Sequence, residues 1–326
     1  MSNYSKIIKL LNDGEYHSGT AIGESLNIGR SAIWKSIEQM RLLGVDIESA
    51  GRKGYRLTTP IDLLEESIIR TSMTDSANDL YQQIEICESI DSTNTHLMQI
   101  ARNHTIGNRA CMAELQSSGK GRNGRKWFGS FASNIALSVL WRFDALPSGL
   151  SGLSLVTGIA VCRACSSQGI NNTKLKWPND IYWNNRKLGG ILIEIQGEPW
   201  GPCNVIIGIG LNIKLNEEVG ADIDQPWVDC SEILQDKTPS RNKISAAVLS
   251  ELATAMQQFQ HDGFEPFIPE WQKYDVLQGQ PISVHLPDKT EEGMAVGINN
   301  DGALLVEING KTKPVYSGDA SLRRKI

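Results

Sequence analysis

The densest cluster of chemically able side chains in this 326-residue chain is Gly119-Lys120-Gly121-Arg122-Asn123-Gly124-Arg125-Lys126-Trp127, preceded by Gln116, Ser117 and Ser118. Its three glycines let the backbone reach positive φ and approach a ligand closely, and its four cations supply donors suited to phosphate oxygens. Such a loop can close over a phosphate group. A solvated surface segment and a nucleic-acid contact have the same composition, and the loop alone does not choose among the three.

A second stretch, Lys174 to Glu194 (KLKWPNDIYWNNRKLGGILIE), reads as two apolar strands meeting at an Asn184-Asn185 turn, with Arg186, Lys187, Gly189 and Gly190 directly after it. Together, QSSGKGRNGRKW and KWPNDIYWNNRKLGGILIE resemble the signature of biotin protein ligases. Asp91-Ser92-Thr93-Asn94 upstream and Gly208-Ile209-Gly210-Leu211-Asn212 downstream extend the resemblance in the family's order, so it covers most of the chain.

The resemblance implies an adenylating enzyme. Biotin's carboxylate attacks the α-phosphate of ATP to give biotinyl-5'-AMP and pyrophosphate, and a lysine of the biotin carboxyl carrier protein of acetyl-CoA carboxylase then attacks the mixed anhydride. Two anions must meet in the first step, which calls for cations and Mg2+ around the reacting phosphate. Lys187, Arg122 and Asp180 match the catalytic positions, with Mg2+ expected near Asp180 and no structural metal. Taken alone, Ser92 and Thr93 are helix-capping residues and Lys187 a solvated side chain after a turn. The resemblance places Ser92, Thr93, Asn94, Gln116, Lys120, Arg122, Lys187, Gly190, Gly208 and Gly210 around biotin. It places Gly119, Lys120, Gly121, Arg122, Trp127, Asn179, Asn212 and Arg323 around ATP or the adenylate, with Trp127 over the adenine. One departure stands out: the family motif reads Gly-Arg-Gly-Arg where this chain has Gly119-Lys120-Gly121-Arg122, which keeps the charge at position 120 but not a guanidinium fork. Lipoate ligases share the chemistry and are the alternative within enzymes.

Around these motifs the chain divides into three, giving an α+β multidomain protein. In residues 1–60, apolar Ile7, Ile8, Leu10 and Leu11 predict one helix, Thr20 to Leu26 a second with Ser18 as cap, and Ile33, Ile37 and Met40 a third. Ile47 to Leu57 reads as a hairpin with a basic Gly51-Arg52-Lys53-Gly54 tip, and the whole resembles a winged helix-turn-helix. Its third helix would present Arg30, Ser31, Trp34 and Lys35 to a DNA groove while Arg52 and Lys53 reach phosphate. Family members with this extra domain repress biotin genes as homodimers on operator DNA with biotinyl-5'-AMP as corepressor; a scaffold for protein contacts is the alternative.

Residues 61–273 form the expected catalytic domain, a mixed α/β unit with its helices on one side of a sheet. Strands at Ile84 to Cys87, Arg109 to Gln116 and Asn134 to Trp141 and helices from Ser92, at Ser151 to Ser166 and at Asn242 to His261 are predicted there. Residues 274–326 carry short strands separated by Asn300-Asp301-Gly302 and Asn309-Gly310 turns and resemble the SH3-like β-barrel that ends biotin ligases.

Composition agrees with this division. The formal net charge is -5, but residues 1–57 hold eight Lys plus Arg against six Asp plus Glu, about +2, leaving about -7 elsewhere. Cys162-Arg163-Ala164-Cys165 has metal-binding spacing but lies in a helical pattern with neither a second pair nor a nearby histidine. No membrane span or secretory signal is readable, and a cytoplasmic protein is expected.

Overall fold

The computed structural model describes residues 3–103, 107–143, 150–197, 202–215, 220, 223, 225–235, 237, 239–286, 290–316 and 321–324. Helices α1 (Tyr4–Leu11), α2 (Gly19–Leu26) and α3 (Arg30–Leu42) bury Ile7, Ile8, Leu11, Ile22, Ile33, Ile37 and Met40 in one core. Ser18 caps α2 by accepting the Ala21 N–H at 3.1 Å, and Asn27, at φ 54°, closes it in the left-handed conformation. The wing follows as β1 (Ile47–Ser49) and β2 (Tyr55–Leu57), antiparallel with Ile47 opposite Leu57.

This N-terminal core includes a residue from far along the chain. Phe131 is buried in it, edge-to-face with Tyr4 at 6.1 Å, and its N–H donates to the Leu43 carbonyl at 3.0 Å. Ala132, at φ 55°, turns the chain there. The loop after Trp127 therefore ends inside the helix-turn-helix core.

The central domain adds α4 (Glu66–Ser72), α5 (Asp75–Leu80), β3 (Gln83–Cys87), α6 (Thr93–Asn103), β4 (Arg109–Ala113), β5 (Asn134–Phe143), α7 (Leu150–Ser167), β6 (Lys174–Lys176), β7 (Asp180–Trp183), β8 (Arg186–Gly197), β9 (Cys203–Asn212), α8 (Cys230–Ile233), α9 (Arg241–Asp262) and α10 (Ile268–Tyr274). The seven-stranded sheet runs β3-β4-β5-β9-β8-β7-β6, parallel between β3 and β4 and antiparallel elsewhere. Alternation along β5 and β9 sends Leu137, Val139, Ile207 and Ile209 into the main core with α7 and α9. It sends Leu140 and Ile206 to the other face, where they meet Leu97 of α6. The expectation of helices on one side is thus corrected: α6 covers the second face because Leu97 and Ala101 form an apolar stripe of their own. The short α5 was not predicted.

Long-range polar contacts tie the interdomain segment to this sheet. The fully buried Arg241 guanidinium pairs with Glu114 at 2.6 Å and also donates to the carbonyls of Asn134 and Asp62. Asn242 holds Asp62 and the Leu63 carbonyl. Cys162 and Cys165 are both buried in the apolar core of α7, and all six cysteines are free.

The C-terminal strands β10 (Pro281–His285), β11 (Thr290–Ile298), β12 (Leu304–Ile308), β13 (Lys311–Val315) and β14 (Ser321–Arg324) form an antiparallel sheet in the order β13-β12-β11-β10-β14. Where a barrel was expected, β13 and β14 are the two ends, and no ladder joins them among the described residues. The sheet docks where the Trp177 indole N–H donates to the Gly302 carbonyl at 3.0 Å.

Candidate functional site

The second face of the large sheet builds the site. Ala136, Gly210, Gly190 and Asp180 occupy one cross-strand row over β5, β9, β8 and β7; Ser138, Gly208 and Leu192 occupy the next. Rows this short of side chains leave a trough. The resulting cavity, about 1350 Å³, is lined by the expected ligand residues of the central domain apart from Gly119. It exceeds the usual range of ligand pockets, as suits a ligand with two heads.

The glycines are sterically required. A Cβ on Gly208 would lie 2.3 Å from Asn94 Oδ1, and one on Gly210 would lie 2.5 Å from the Trp127 indole. Trp127 therefore rests on the trough floor, and its ring N–H is buried without a hydrogen-bond partner. An unmet buried donor is costly, and a ligand acceptor would relieve it.

One end of the cavity is lined by neutral polar side chains. Thr93 donates its backbone N–H to Gln116 Oε1 at 2.8 Å, and its hydroxyl lies 3.0 Å from the same oxygen and 2.6 Å from the Ser138 hydroxyl. Ser138 in turn reaches Asn94 Oδ1, whose amide N–H donates to Glu194 at 2.8 Å. Two hydroxyl protons serve three oxygen contacts here, so a polar ligand can take over one of them without leaving a donor unmet. Ser92 fits the capping reading as well: its Oγ accepts the Thr95 N–H at 3.4 Å at the start of α6.

The other end is charged, and three strand spacings put it roughly 14 Å away across the sheet. Lys187 Nζ lies 2.7 Å from Asp180 Oδ1, both side chains mostly buried. Arg122 donates to Asn179 Oδ1 at 3.2 Å, and Asn179 is fixed by donating to the Ile191 carbonyl at 2.7 Å. Burial pulls the Arg122 pKa below its ordinary value and Asp180 offsets part of this; a guanidinium starts so high that it stays charged.

The glycine-rich loop folds back on itself. Gly121 N–H donates to the Arg125 carbonyl at 2.7 Å and Trp127 N–H to the Gly119 carbonyl at 2.9 Å, with Asn123 and Gly124 at positive φ in the turn between. Lys120 is exposed at the cavity mouth. Asn212 is buried and donates to the Val228 carbonyl at 3.1 Å, which holds residues 226–228 beside Lys187. Arg323, in β14, pairs by backbone with Ser283 of β10, and its side chain lies outside the described residues.

Sequence reasoning missed Ser138, Glu194, Tyr182 and Trp227, which complete the site. Ser138 and Glu194 were detectable as polar breaks in the apolar runs NIALSVLW and GGILIE. Tyr182, whose pKa burial pushes up with Asp180 adding to it, and Trp227 carry no local signal.

Far from the cavity, α3 leaves Arg30, Ser31, Trp34 and Lys35 exposed on one flank, with Trp34 at 55% exposure, and the wing tip exposes Arg52 and Lys53.

Three families match the chain in segments: "HTH domain" over residues 4–56, "Biotin/lipoate A/B protein ligase family" over 86–212 and "Biotin protein ligase C terminal domain" over 278–323. The "Bifunctional ligase/repressor BirA" of Salmonella typhimurium is 38% identical, aligned over 97% of this chain and 96% of its own. The protein of the same description from Escherichia coli K12 is 36% identical over 98% and 96%. Among solved structures, "Biotin protein ligase from Aquifex aeolicus in complex with biotin and ATP" superposes with a TM-score of 0.64 at 26% identity, covering 75% of this chain and 100% of that one.

Proposed function

Since the chain belongs to the biotin protein ligase family, we propose that Lys187, Arg122 and Asp180 carry the adenylation of biotin and that the adenylate formed also controls DNA binding. The protein is a biotin ligase with an N-terminal helix-turn-helix repressor domain. The proposal assigns residues 1–60 to operator DNA, 61–273 to catalysis and 274–326 to completing the site. The observation that carries it is a single cavity with an uncharged polar end at Thr93, Gln116 and Ser138 and a cationic end at Lys187 and Arg122.

The head group of biotin hydrogen-bonds at the polar end, with Ser92, Thr93, Asn94 and Gln116 around its ureido ring and Gly208 and Gly210 making the room in which Asn94 and Trp127 lie low beside it. Its carboxylate then reaches the charged end. There Lys187 and Arg122 offset the repulsion between carboxylate and α-phosphate and stabilise charge on the phosphoryl oxygens in the transition state. Asn179 positions Arg122. Trp127 covers the adenine. A carboxylate next to this phosphate path fits Mg2+, which is held mainly by substrate phosphates with one or two protein oxygens. When bound, Mg2+ neutralises phosphate charge; Asp180 is the residue that would hold it.

The acceptor is a lysine of the biotin carboxyl carrier protein. The loop from Gly119 to Trp127 shields the mixed anhydride from water until that lysine arrives. Because the same loop continues into Phe131 and the helix-turn-helix core, ordering it over the adenylate favours a homodimer that binds a two-fold operator. Biotinyl-5'-AMP is thus the corepressor, and the setting is the cytoplasm.

The test is selection of random duplex DNA by the purified protein with and without biotin, ATP and Mg2+, run beside pyrophosphate exchange with biotin or lipoate. Exchange with biotin alone, and a two-fold site enriched only with the ligands, is expected. Exchange driven by lipoate would overturn the substrate assignment, and no enriched site would reduce residues 1–60 to a scaffold.

A further inference from the structure

On the far side of α6 from the ligand cavity, Glu85 and Cys87 of β3, Cys111 of β4 and His96 of α6 converge. The parallel register sets Glu85 beside Cys111. His96 Nε2 lies 2.8 Å from Glu85 Oε2, and the Cys87 thiol lies 3.8 Å from Glu85 Oε1. One ligand atom each from Glu85, His96 and Cys111 fall within 4.8 Å of one another. Cys111 is buried and the other three are partly exposed, so the cluster has an apolar floor and an opening to solvent.

We propose that Glu85, Cys87, His96 and Cys111 form a binding site for a zinc-type divalent transition metal. Two sulfurs, an imidazole and a carboxylate make a borderline-soft donor set, which suits Zn(II) and excludes the hard cations Mg2+ and Ca2+. A tetrahedral ion with bonds of about 2.0–2.3 Å sets its donors roughly 3.3–3.8 Å apart, so Glu85, His96 and Cys111 close in from within 4.8 Å and Cys87, which lies against Glu85, swings in beside them. Metal binding releases both thiol protons to solvent and leaves two thiolates, one carboxylate and a neutral imidazole on the ion.

The bound ion fastens α6 to two strands. His96 stands three residues after Thr93, one helical turn from the end of α6 that faces the ligand cavity. The site thereby stabilises the helix that presents Thr93 and Asn94. The expectation of no structural metal weighed Cys162, Cys165 and the scatter of the five histidines; the spacing of 85, 87, 96 and 111 matches no local metal motif.

The full-length protein, stripped with chelator and kept reduced, is titrated with Co(II) and, separately, Cd(II). Expected are one equivalent per chain, a thiolate-to-metal charge-transfer band, tetrahedral cobalt bands in the visible, and a higher thermal midpoint with stoichiometric Zn(II). Cys87→Ser and His96→Gln, both at partly exposed positions, are expected to weaken binding at least tenfold and to abolish the thermal shift, while Cys203→Ser keeps all signals. Cys111→Ser is expected to lower the band to that of a single thiolate, and circular dichroism reports whether its buried position has unsettled the fold. Absence of a charge-transfer band in the wild type, or affinity undiminished in both Cys87→Ser and His96→Gln, overturns the site.

Discussion

The Lys187 ammonium stands 2.7 Å from the Asp180 carboxylate because a one-residue bulge interrupts the β7–β8 ladder. Ile181 pairs with Gly189 but Tyr182 with Lys187, so Leu188 is the extra residue. Regular alternation would put Leu188 on the cavity face and Lys187 in the core. With the bulge, Leu188 is fully buried and Lys187 shares the face of Asp180.

Lys187→Met should lower the rate of adenylate formation roughly 10²–10³-fold, the usual cost of removing a charge-stabilising group from a reacting centre. Biotin-dependent pyrophosphate exchange measures it. A loss confined to KM with kcat unchanged would assign Lys187 to ground-state binding instead.

Arg122→Gly should release biotinyl-5'-AMP roughly tenfold faster or more while the fold persists, since its hydrogen bond to Asn179 and its contact with the ligand phosphate are lost. Stopped-flow release is the measurement; unchanged retention would count against the role.

For Gly208→Ala, the new methyl would sit 2.3 Å from Asn94 Oδ1, and Asn94 is tethered by Ser138 and Glu194. Biotin affinity should fall roughly tenfold, the worth of one displaced hydrogen bond, as read by calorimetry.

Glu114→Ala would leave the buried Arg241 guanidinium without its carboxylate. A loss of about 3–5 kcal/mol in urea unfolding is expected. Because Glu114 also accepts the Leu64 N–H, proteolysis of the interdomain segment should speed up.

Burial pushes the Asp275 carboxyl above its ordinary pKa, and its Oδ2 has no partner. A carboxyl raised on folding contributes stability that is full below the unfolded value and is lost as pH rises through the folded one. Asp275→Asn should therefore raise the thermal midpoint by roughly 2–4 °C near neutral pH. The gain should shrink as pH falls towards about 4, where the native carboxyl is neutral too. Scanning calorimetry across that range follows both.

Much of this molecule was legible because its signals are local. The Asn184-Asn185 turn has both residues at positive φ, as its residue types require, and the Ser18 cap and the three-helix periodicity reappear where short-range propensity put them. The motifs likewise picked out residues that lie along one cavity, Gly119 apart.

Tertiary structure alone decided the rest. Ser138 meets Thr93 across 45 positions and Arg241 meets Glu114 across 127, through strand register and helix packing that no window of sequence contains. The bulge that turns Lys187 into the cavity shifts pairing by one residue, and nothing in the letters R-K-L-G-G says on which side the lysine falls. Phe131 closes the core of a domain that ends some seventy residues before it, and Glu85, Cys87, His96 and Cys111 meet only where α6 lies on a sheet edge. Local conformation follows from residue type; which faces meet depends on burying apolar surface contributed by the whole chain at once.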